Sequence, residues 1–282
     1  MTRPKNLLTQ FFWYQLFIYF LLRLDDYDDA RKEMLHVCRQ YYKDNQTTLK
    51  KIDIFDESYA SDSAAEWYSK PTFVYHMLNT AIRTQNINSI ISFRFFIINL
   101  HKQLKNLHKK YLTGLSHPTI MTVYRGQSLK RDEFDTLHVS DYISFNGFLS
   151  TTTAEDVARL FIEDNSNDLI AILWEIKINT KHTRTIFADI SSFSAVKDES
   201  EILFTIGSLF KIESIDKNFN QSLCKITLTT VDDEDTCDSC IHEELIIIQE
   251  TLRGQLPMLQ LSSILLCMGE FDSFHFEKFL LP

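Results

Sequence analysis

The chain has 282 residues, 44% of them hydrophobic, with a formal net charge of -9 and an isoelectric point near 5.5. This length fills one large domain or two modest ones. The acidic balance argues against nucleic acid or an anionic membrane surface as the main partner. The five cysteines are scattered and odd in number, which favours a reducing compartment such as the cytoplasm over a disulfide framework. We therefore expect a packed globular protein.

An apolar run, LLTQFFWYQLFIYFLL, occupies residues 7–22 and follows two basic residues, as in a signal peptide. No small-x-small cleavage site follows it, and Gln10 and Gln15 interrupt it, so it makes a poor membrane span. The run predicts a buried first helix. An uncleaved N-terminal anchor and secretion remain open alternatives.

Helical signals continue from residue 10 to about residue 115. Asp28 or Asp29 suits the start of one helix, and Pro71 suits the first turn of another that runs through Ile82. Asn86 or Asn88 would open a long helix over residues 90–111.

The last turns of that long helix read HKQLKNLHKK, and basic residues stabilise a helix C-terminus. His101 and His108 fall within this charged stretch. We expect both imidazoles to be solvated rather than to bind a metal.

After Gly114 and Pro118 the pattern changes to short β-branched and aromatic stretches bounded by turn residues. They are TIMTVYRG, NGFLSTTT, LIAILWEIKI, TIFADI, EILFTIG, FKIESI and LCKITLTT. Two helices interrupt them, one from a Thr153 cap through Phe161 and a shorter one over residues 130–137. Helices first and strands afterwards predict an α+β protein, with a helical part at 10–115 and a β-rich part at 118–230.

The sequence after residue 230 predicts an acidic linker over residues 231–240 and a helical tail over 241–282. Cys237 and Cys240 form a lone C-x-x-C pair, better explained by two free thiols in a loop than by a zinc site. The tail sequence LLCMGEFDSFHFEKFLLP resembles the first half of a tetratricopeptide repeat. One repeat cannot bury its own faces, so this fragment would need a neighbour or a protein partner, and the chain could be a piece of a longer protein.

Three polar insertions interrupt strand-like stretches. They are Tyr124-Arg125-Gly126, Phe148-Leu149-Ser150-Thr151-Thr152 and Glu199-Ser200-Glu201. Alone, each would be an exposed arginine, a β-prone hydroxyl run or a solvated acidic pair. Strand alternation would place Glu199 and Glu201 on one face, where two like charges need a cationic ligand. Phosphate-binding glycine loops, HExxH and GxSxG motifs do not occur in the sequence.

In order and spacing, the three insertions resemble the arginine-specific mono-ADP-ribosyltransferases, a family recognised by Arg, aromatic-x-Ser-Thr-Ser and Glu-x-Glu. Thr152 stands where the family has the last Ser, and the similarity extends over about residues 30–230. The resemblance implies a catalytic domain at 10–230, in which N-terminal helices pack on a split antiparallel β-sheet. It also implies NAD as co-substrate, no metal ion, and an arginine-bearing protein as acceptor.

The resemblance implies a role for each matching residue around NAD. Arg125 would supply a fixed cation for the phosphates, Gly126 a close backbone approach to the nicotinamide amide, and Ser150 and Thr151 hydroxyls near the ribose. Phe161 would pack on the nicotinamide, although a core position suits this phenylalanine equally well.

For the two glutamates, the resemblance implies separate tasks. Glu201 would stabilise the oxocarbenium-like centre and bind the ribose 2′-hydroxyl, whereas Glu199 would orient the acceptor guanidinium. Val196 stands where relatives often carry an aromatic, and Thr205-Ile206-Gly207 stands where they often carry prolines. These departures concern the acceptor side, so the target protein is not predicted.

Three functions follow as hypotheses. The first is transfer of ADP-ribose from NAD to protein arginine with release of nicotinamide. The second is NAD glycohydrolysis with water as acceptor, and the third is a non-catalytic scaffold that binds partners through the C-terminal repeat fragment. Intact Arg, Ser and Glu-x-Glu elements weigh against the scaffold.

Overall fold

The computed structural model describes residues 14–24, 28–117, 119–162, 168–181, 183, 185–193, 200–220, 223–231 and 261, with the side chains of 218–220 excepted. The chain divides into two compact units, one of residues 1–101 with 236–282 and the other of residues 102–235. The predicted acidic linker at 231–240 and helical tail at 241–282, with Cys237, Cys240 and the repeat-like segment, lie outside the described residues except for 231 and 261.

The first unit is helical in the part that the structure describes. Helix α1 covers residues 14–21. The others are α2 (Asp28–Tyr41), α3 (Gln46–Ser58), a 3-10 turn (Ser61–Ser63), α4 (Ala64–Ser69), α5 (Phe73–Arg83), α6 (Ile87–Ser92) and the start of α7 (Arg94–Gly114). Among the described residues, no helix is long and apolar enough to cross a membrane.

Local capping explains where these helices begin. Asp28 and Asp29 lie within the first turn of α2, where negative charge suits the helix N-terminus. The Thr72 side chain caps α5 by accepting a hydrogen bond from the Tyr75 N–H, so Pro71 precedes the helix rather than lying in its first turn. The Asn86 side chain caps α6 in the same way, accepting from the Ser89 N–H.

The single helix predicted for residues 90–111 is wrong, because the chain turns at Phe93. The Phe93 N–H bonds to both the Ser89 and Ile90 carbonyl oxygens, which ends α6 before α7 begins. Phe93 is 1% exposed, so the turn lies within the core. Its apolar neighbours hid this break from the sequence pattern.

The second unit is built on one eight-stranded sheet. Its strands are β1 (Ile120–Lys130), β2 (Tyr142–Ser144), β3 (Leu149–Thr152), β4 (Leu169–Asn179), β5 (Phe187–Asp189), β6 (Glu201–Phe204), β7 (Leu209–Asn220) and β8 (Leu223–Thr230). Their order is β2-β7-β8-β4-β1-β3-β6-β5, and every pair is antiparallel except β4 with β8. The predicted α+β class is confirmed.

The sheet is split between β1 and β3. Strand β1 pairs with β4 along its whole length, whereas its register with β3 consists of Tyr124 opposite Thr152. The split separates a long half (β2-β7-β8-β4-β1) from a short half (β3-β6-β5). Buried residues of both halves, such as Val123, Ile176 and Phe204, belong to one hydrophobic cluster.

Two short helices accompany the sheet. Helix α8 (Arg131–Asp135) follows β1, and α9 (Glu155–Arg159) follows β3. The predicted Thr153 cap is wrong, because Ala154 is the N-cap residue and its N–H donates to Thr152 Oγ1. Helix α9 packs on the sheet through Ala158, in a small apolar cluster with Ala171, Leu173 and Leu223.

His108 corrects a second prediction, since its imidazole is buried rather than solvated. The side chain is 7% exposed, and Nδ1 lies 3.0 Å from the Phe187 carbonyl oxygen of β5. The ring also stacks edge-on against the Phe187 ring. Lys109 and Lys110 beside it are exposed, so the basic run includes one residue that faces the core.

Candidate active site

The candidate site lies where the sheet splits, and Arg125 sits beside the junction. Arg125 follows Tyr124, the last point at which β1 meets β3. Its guanidinium Nη1 donates a hydrogen bond of 2.8 Å to the Ser150 carbonyl oxygen. The side chain therefore crosses from the long half to the short half where backbone pairing has ended. Arg125 is half-buried, and its guanidinium Nε is enclosed by the protein.

Ser150 and Glu201 form a direct pair on the short half. The Ser150 hydroxyl donates a hydrogen bond of 2.6 Å to Glu201 Oε1. Glu201 is 8% exposed and is the first residue of β6, opposite Thr152 on β3. Arg125, Ser150 and Glu201, predicted from three separate segments, are thus brought together by consecutive hydrogen bonds.

Thr151 points away from this pair. Its hydroxyl donates to the Ile202 carbonyl oxygen over 2.8 Å, and the residue is 3% exposed. Successive strand residues face opposite sides of a sheet, so Ser150 and Thr151 cannot both face one ligand through their side chains. The geometry gives Thr151 a role in joining β3 to β6.

Gly126 is required by helix packing. A Cβ atom at this position would lie 2.0 Å from the Ala158 carbonyl oxygen and 2.7 Å from Ile162 Cγ1. Because Ala158 belongs to α9, the missing side chain lets this helix approach β1 closely. The close approach that the sequence predicted at Gly126 is made, among the described residues, by the protein's own helix.

Phe161 lies just beyond α9 and is 58% exposed, with Leu160 beside it at 82%. The alternative of a core position for Phe161 is therefore wrong. Its aromatic ring is available to a ligand, and the packing of Ala158 under Gly126 fixes the helix from which it projects.

Glu199 lies outside the described residues, but its neighbour Ser200 is described. Strand β6 begins at Glu201, and Ser200 has a φ angle of 43°, in the left-handed region. The predicted placement of Glu199 on the same face as Glu201 concerns a residue outside the described ones and stays a prediction.

Sequence reasoning missed a row of polar residues that runs from Glu201 across the split. Thr152 lies opposite Glu201, Tyr124 opposite Thr152, and Glu175 opposite Tyr124. The Glu175 carboxylate pairs with Lys225 Nζ. Burial, followed by the nearby Glu175 and Glu155 charges, raises the pKa of Tyr124. A lone carboxylate inside the apolar run LIAILWEIKI was the signal available in the sequence.

No group of three or more His, Cys, Asp and Glu side chains that could hold a metal ion occurs in the part of the chain that the structure describes.

Comparison with known proteins assigns the chain to a family. The model of the ADP-ribosyltransferase exoenzyme family matches residues 40–234, more than half of the chain. The chain therefore belongs to this family. The match contains Arg125, Ser150 and Glu201.

One similar protein is Vis of Vibrio splendidus (strain 12B01), which carries the name NAD(+)–arginine ADP-ribosyltransferase. It is 32% identical over 105 residues, which cover 36% of this chain and 40% of Vis. The match thus spans about two fifths of that relative's length.

Two solved structures illustrate the structural similarity. A structure of Vis with the M6 inhibitor has a TM-score of 0.48 and 21% identity, covering 76% of this chain and 90% of that chain. HopU1 of Pseudomonas syringae pv. Tomato DC3000 has a TM-score of 0.48 and 19% identity, covering 73% and 98% respectively.

Proposed function

We propose that the protein is a mono-ADP-ribosyltransferase that transfers ADP-ribose from NAD to arginine side chains and releases nicotinamide. The observation that carries the proposal is the hydrogen-bonded series of Arg125, Ser150 and Glu201 at the split of the sheet. A solvated arginine and a solvated acidic residue would not be joined in this way. Family membership supports ADP-ribose transfer, and the resemblance to the Glu-x-Glu element supports arginine as acceptor.

The described residues suit NAD as co-substrate. Arg125 carries a permanent charge on a planar guanidinium with several N–H donors, which suits a dinucleotide with two phosphates. The exposed ring of Phe161 suits stacking on nicotinamide. The main-chain groups beside Arg125 remain the proposed partners of the nicotinamide amide.

In the reaction, the bond between ribose C1′ and the nicotinamide nitrogen breaks, and its electron pair leaves with nicotinamide. The cationic ring becomes neutral as it departs, so no general acid is needed, in contrast to ordinary glycoside hydrolysis. Positive charge develops on the ribose, and the Glu201 carboxylate stabilises it electrostatically. Ser150 holds Glu201 Oε1 in place, which limits reorganisation of the carboxylate as that charge appears.

An arginine acceptor explains a second glutamate. A guanidinium nitrogen forms the new bond to C1′, and the acceptor loses one proton. Because guanidinium is protonated at neutral pH, it attacks poorly unless a carboxylate orients it and takes up the proton. We assign this task to Glu199. Hydrolysis of NAD has no such requirement, so Glu201 alone would serve a glycohydrolase.

The test is incubation of the purified protein with labelled NAD and agmatine, the arginine mimic present in a Vis complex. We expect label on agmatine with the wild type, and in Glu201→Gln a loss of transfer on the order of 100-fold, the scale for a principal electrostatic group. Asp189→Asn is the matched control, since this exposed carboxylate of neighbouring β5 should be dispensable.

Glu199→Ala separates the two enzyme hypotheses. It should suppress transfer to agmatine while sparing release of nicotinamide to water. Equal loss of both activities would refute the acceptor role of Glu199. If the wild type releases nicotinamide without labelling agmatine, the protein is a glycohydrolase. If a folded wild type releases no nicotinamide, the non-catalytic scaffold is the hypothesis that stands.

A further inference from the structure

Ser200 has an uncommon backbone conformation directly beside the site. Its φ angle is 43°, a value that residues other than glycine rarely adopt because Cβ then crowds the following carbonyl. The side chain is exposed, so burial does not explain why the chain accepts this conformation. Unfavourable conformations of this kind persist when the surrounding structure enforces them, and they concentrate at functional positions.

The residue after Ser200 is held on both sides of its strand. Glu201 lies opposite Thr152 of β3, and its carbonyl oxygen accepts a hydrogen bond of 2.9 Å from the Ile190 N–H. These contacts hold the carbonyl end of Glu201, so the position of its amide nitrogen, and with it the direction of its side chain, depends on how the chain enters β6. Ser200 determines how the chain enters β6, because its backbone is left-handed where a continuing strand would be extended.

We propose that Ser200 is a positioning residue, whose left-handed backbone sets the entry of the chain into β6 and so aims the Glu201 carboxylate at the reacting ribose. The inference rests on the proposed function of Glu201. The positioning role belongs to the backbone conformation of Ser200, and its hydroxyl group has no part in it. Serine suits the position because its side chain is small, and it restricts the unfolded chain more than glycine would.

Two substitutions separate conformation from hydroxyl chemistry. Ser200→Gly removes the hydroxyl but favours the left-handed backbone, so we expect kcat for nicotinamide release within about threefold of wild type. Ser200→Thr keeps the hydroxyl but adds a branch at Cβ that disfavours this backbone. We expect its kcat to fall about tenfold or more, with KM for NAD within about threefold, because Glu201 acts mainly on the transition state.

Ser140 supplies a matched control in the same unit. It is an exposed serine with a φ angle of 72°, in the turn before β2, where its N–H donates to the Ile212 carbonyl oxygen. Ser140→Thr should lower the melting temperature about as much as Ser200→Thr, while leaving kcat unchanged. Comparable melting temperatures show that any kcat difference does not come from unfolding.

The outcomes are distinct. A Ser200→Thr variant as active as Ser140→Thr would overturn the inference, as would a Ser200→Gly variant that loses as much kcat as Ser200→Thr. Absence of nicotinamide release from folded wild-type protein would instead refute the proposed function, and the inference with it. Retained kcat in Ser200→Gly, with selective loss in Ser200→Thr, establishes the conformational role.

Discussion

The two halves of the sheet are held together in different ways. In the long half, β1 and β4 have 11 residues each and β7 has 12, and β1 and β4 pair along their whole length. In the short half, β3 and β6 have four residues each and β5 has three. Strands this short form few ladder hydrogen bonds, so the short half depends on other contacts.

Those contacts are the hydrophobic cluster shared by both halves and hydrogen bonds from side chains to the backbone. Arg125 bonds to the Ser150 carbonyl, Thr151 to the Ile202 carbonyl, and His108 to the Phe187 carbonyl. They tie β3 to β1, β6 to β3, and the outer edge of β5 to helix α7. The candidate catalytic residues Ser150 and Glu201 lie in this half, so the side chains that hold the short strands also fix the site.

The largest expected effect on stability lies in the long half. Ile176 of β4 is fully buried opposite Val123. Ile176→Ala should lower the free energy of unfolding by about 3 kcal/mol, because it removes apolar contacts and leaves a cavity. Chemical denaturation measures the loss, and nicotinamide release per folded molecule should stay near the wild-type value.

Lys177→Ala is the control for Ile176→Ala. Lys177 is the next residue of β4, and its half-exposed side chain pairs with Glu213 at 3.5 Å. Its removal should change the unfolding free energy by no more than about 1 kcal/mol. If Ile176→Ala instead reduced activity per folded molecule strongly, the core of the long half would shape the site as well as stabilise the fold.

Gly126→Ala tests the junction between the two halves of the sheet. Both the free energy of unfolding and the activity should change there. The added Cβ would lie 2.0 Å from the Ala158 carbonyl oxygen, which is backbone and cannot simply rotate away. We expect a loss of about 2 kcal/mol in unfolding free energy from this overpacking. Displacement of α9, and of Phe161 beyond it, should also raise KM for NAD.

Gly114→Ala provides the comparison for that substitution. No atom lies within 4 Å of the position that a Cβ would take there, at the end of α7. Its stability should be unchanged or slightly raised, since alanine favours a helix by up to about 1 kcal/mol over glycine. A Gly126→Ala protein as stable as Gly114→Ala would disprove tight packing of α9.

The sequence predicted the fold class and the three segments of the site because both depend on local patterns. Strand periodicity located β1, β4 and β8, and residue types identified Arg125, Ser150 and Glu201. These local patterns could not predict the split of the sheet. The split depends on how β1 pairs with β3, and the residues of the two segments do not determine that register. Only the resemblance to a family predicted a split sheet.

The missed details share a physical cause, which is that tertiary contacts overrode local preference. His108 sits in a basic run typical of a solvated helix end, but the outer edge of β5 needed a hydrogen-bonding partner. Thr153 is a good cap by residue type, yet the Thr152 hydroxyl accepts from the Ala154 N–H instead. The left-handed backbone at Ser200 is likewise not indicated by the letters DESEILF.

The smallest effect should come from the outer edge of the short half, through the titration of His108. Burial, opposed by the bond to the Phe187 carbonyl, lowers the pKa of His108 below its usual 6.5. As pH falls through about 6.5, the unfolded chain therefore takes up a proton before the folded protein does. The His108 contribution to stability is complete above that pH and is lost as pH falls through the folded-state pKa.

His108→Asn should flatten this dependence, because asparagine offers an amide donor to Phe187 but does not titrate. The measurement is unfolding free energy at intervals from pH 7.5 to 5, for wild type, His108→Asn and an exposed-histidine control, His117→Asn. The wild type and His117→Asn should lose stability in parallel, and His108→Asn should lose less. If all three declined equally, folding would not lower the pKa of His108, and its titration would contribute nothing to the pH dependence of stability.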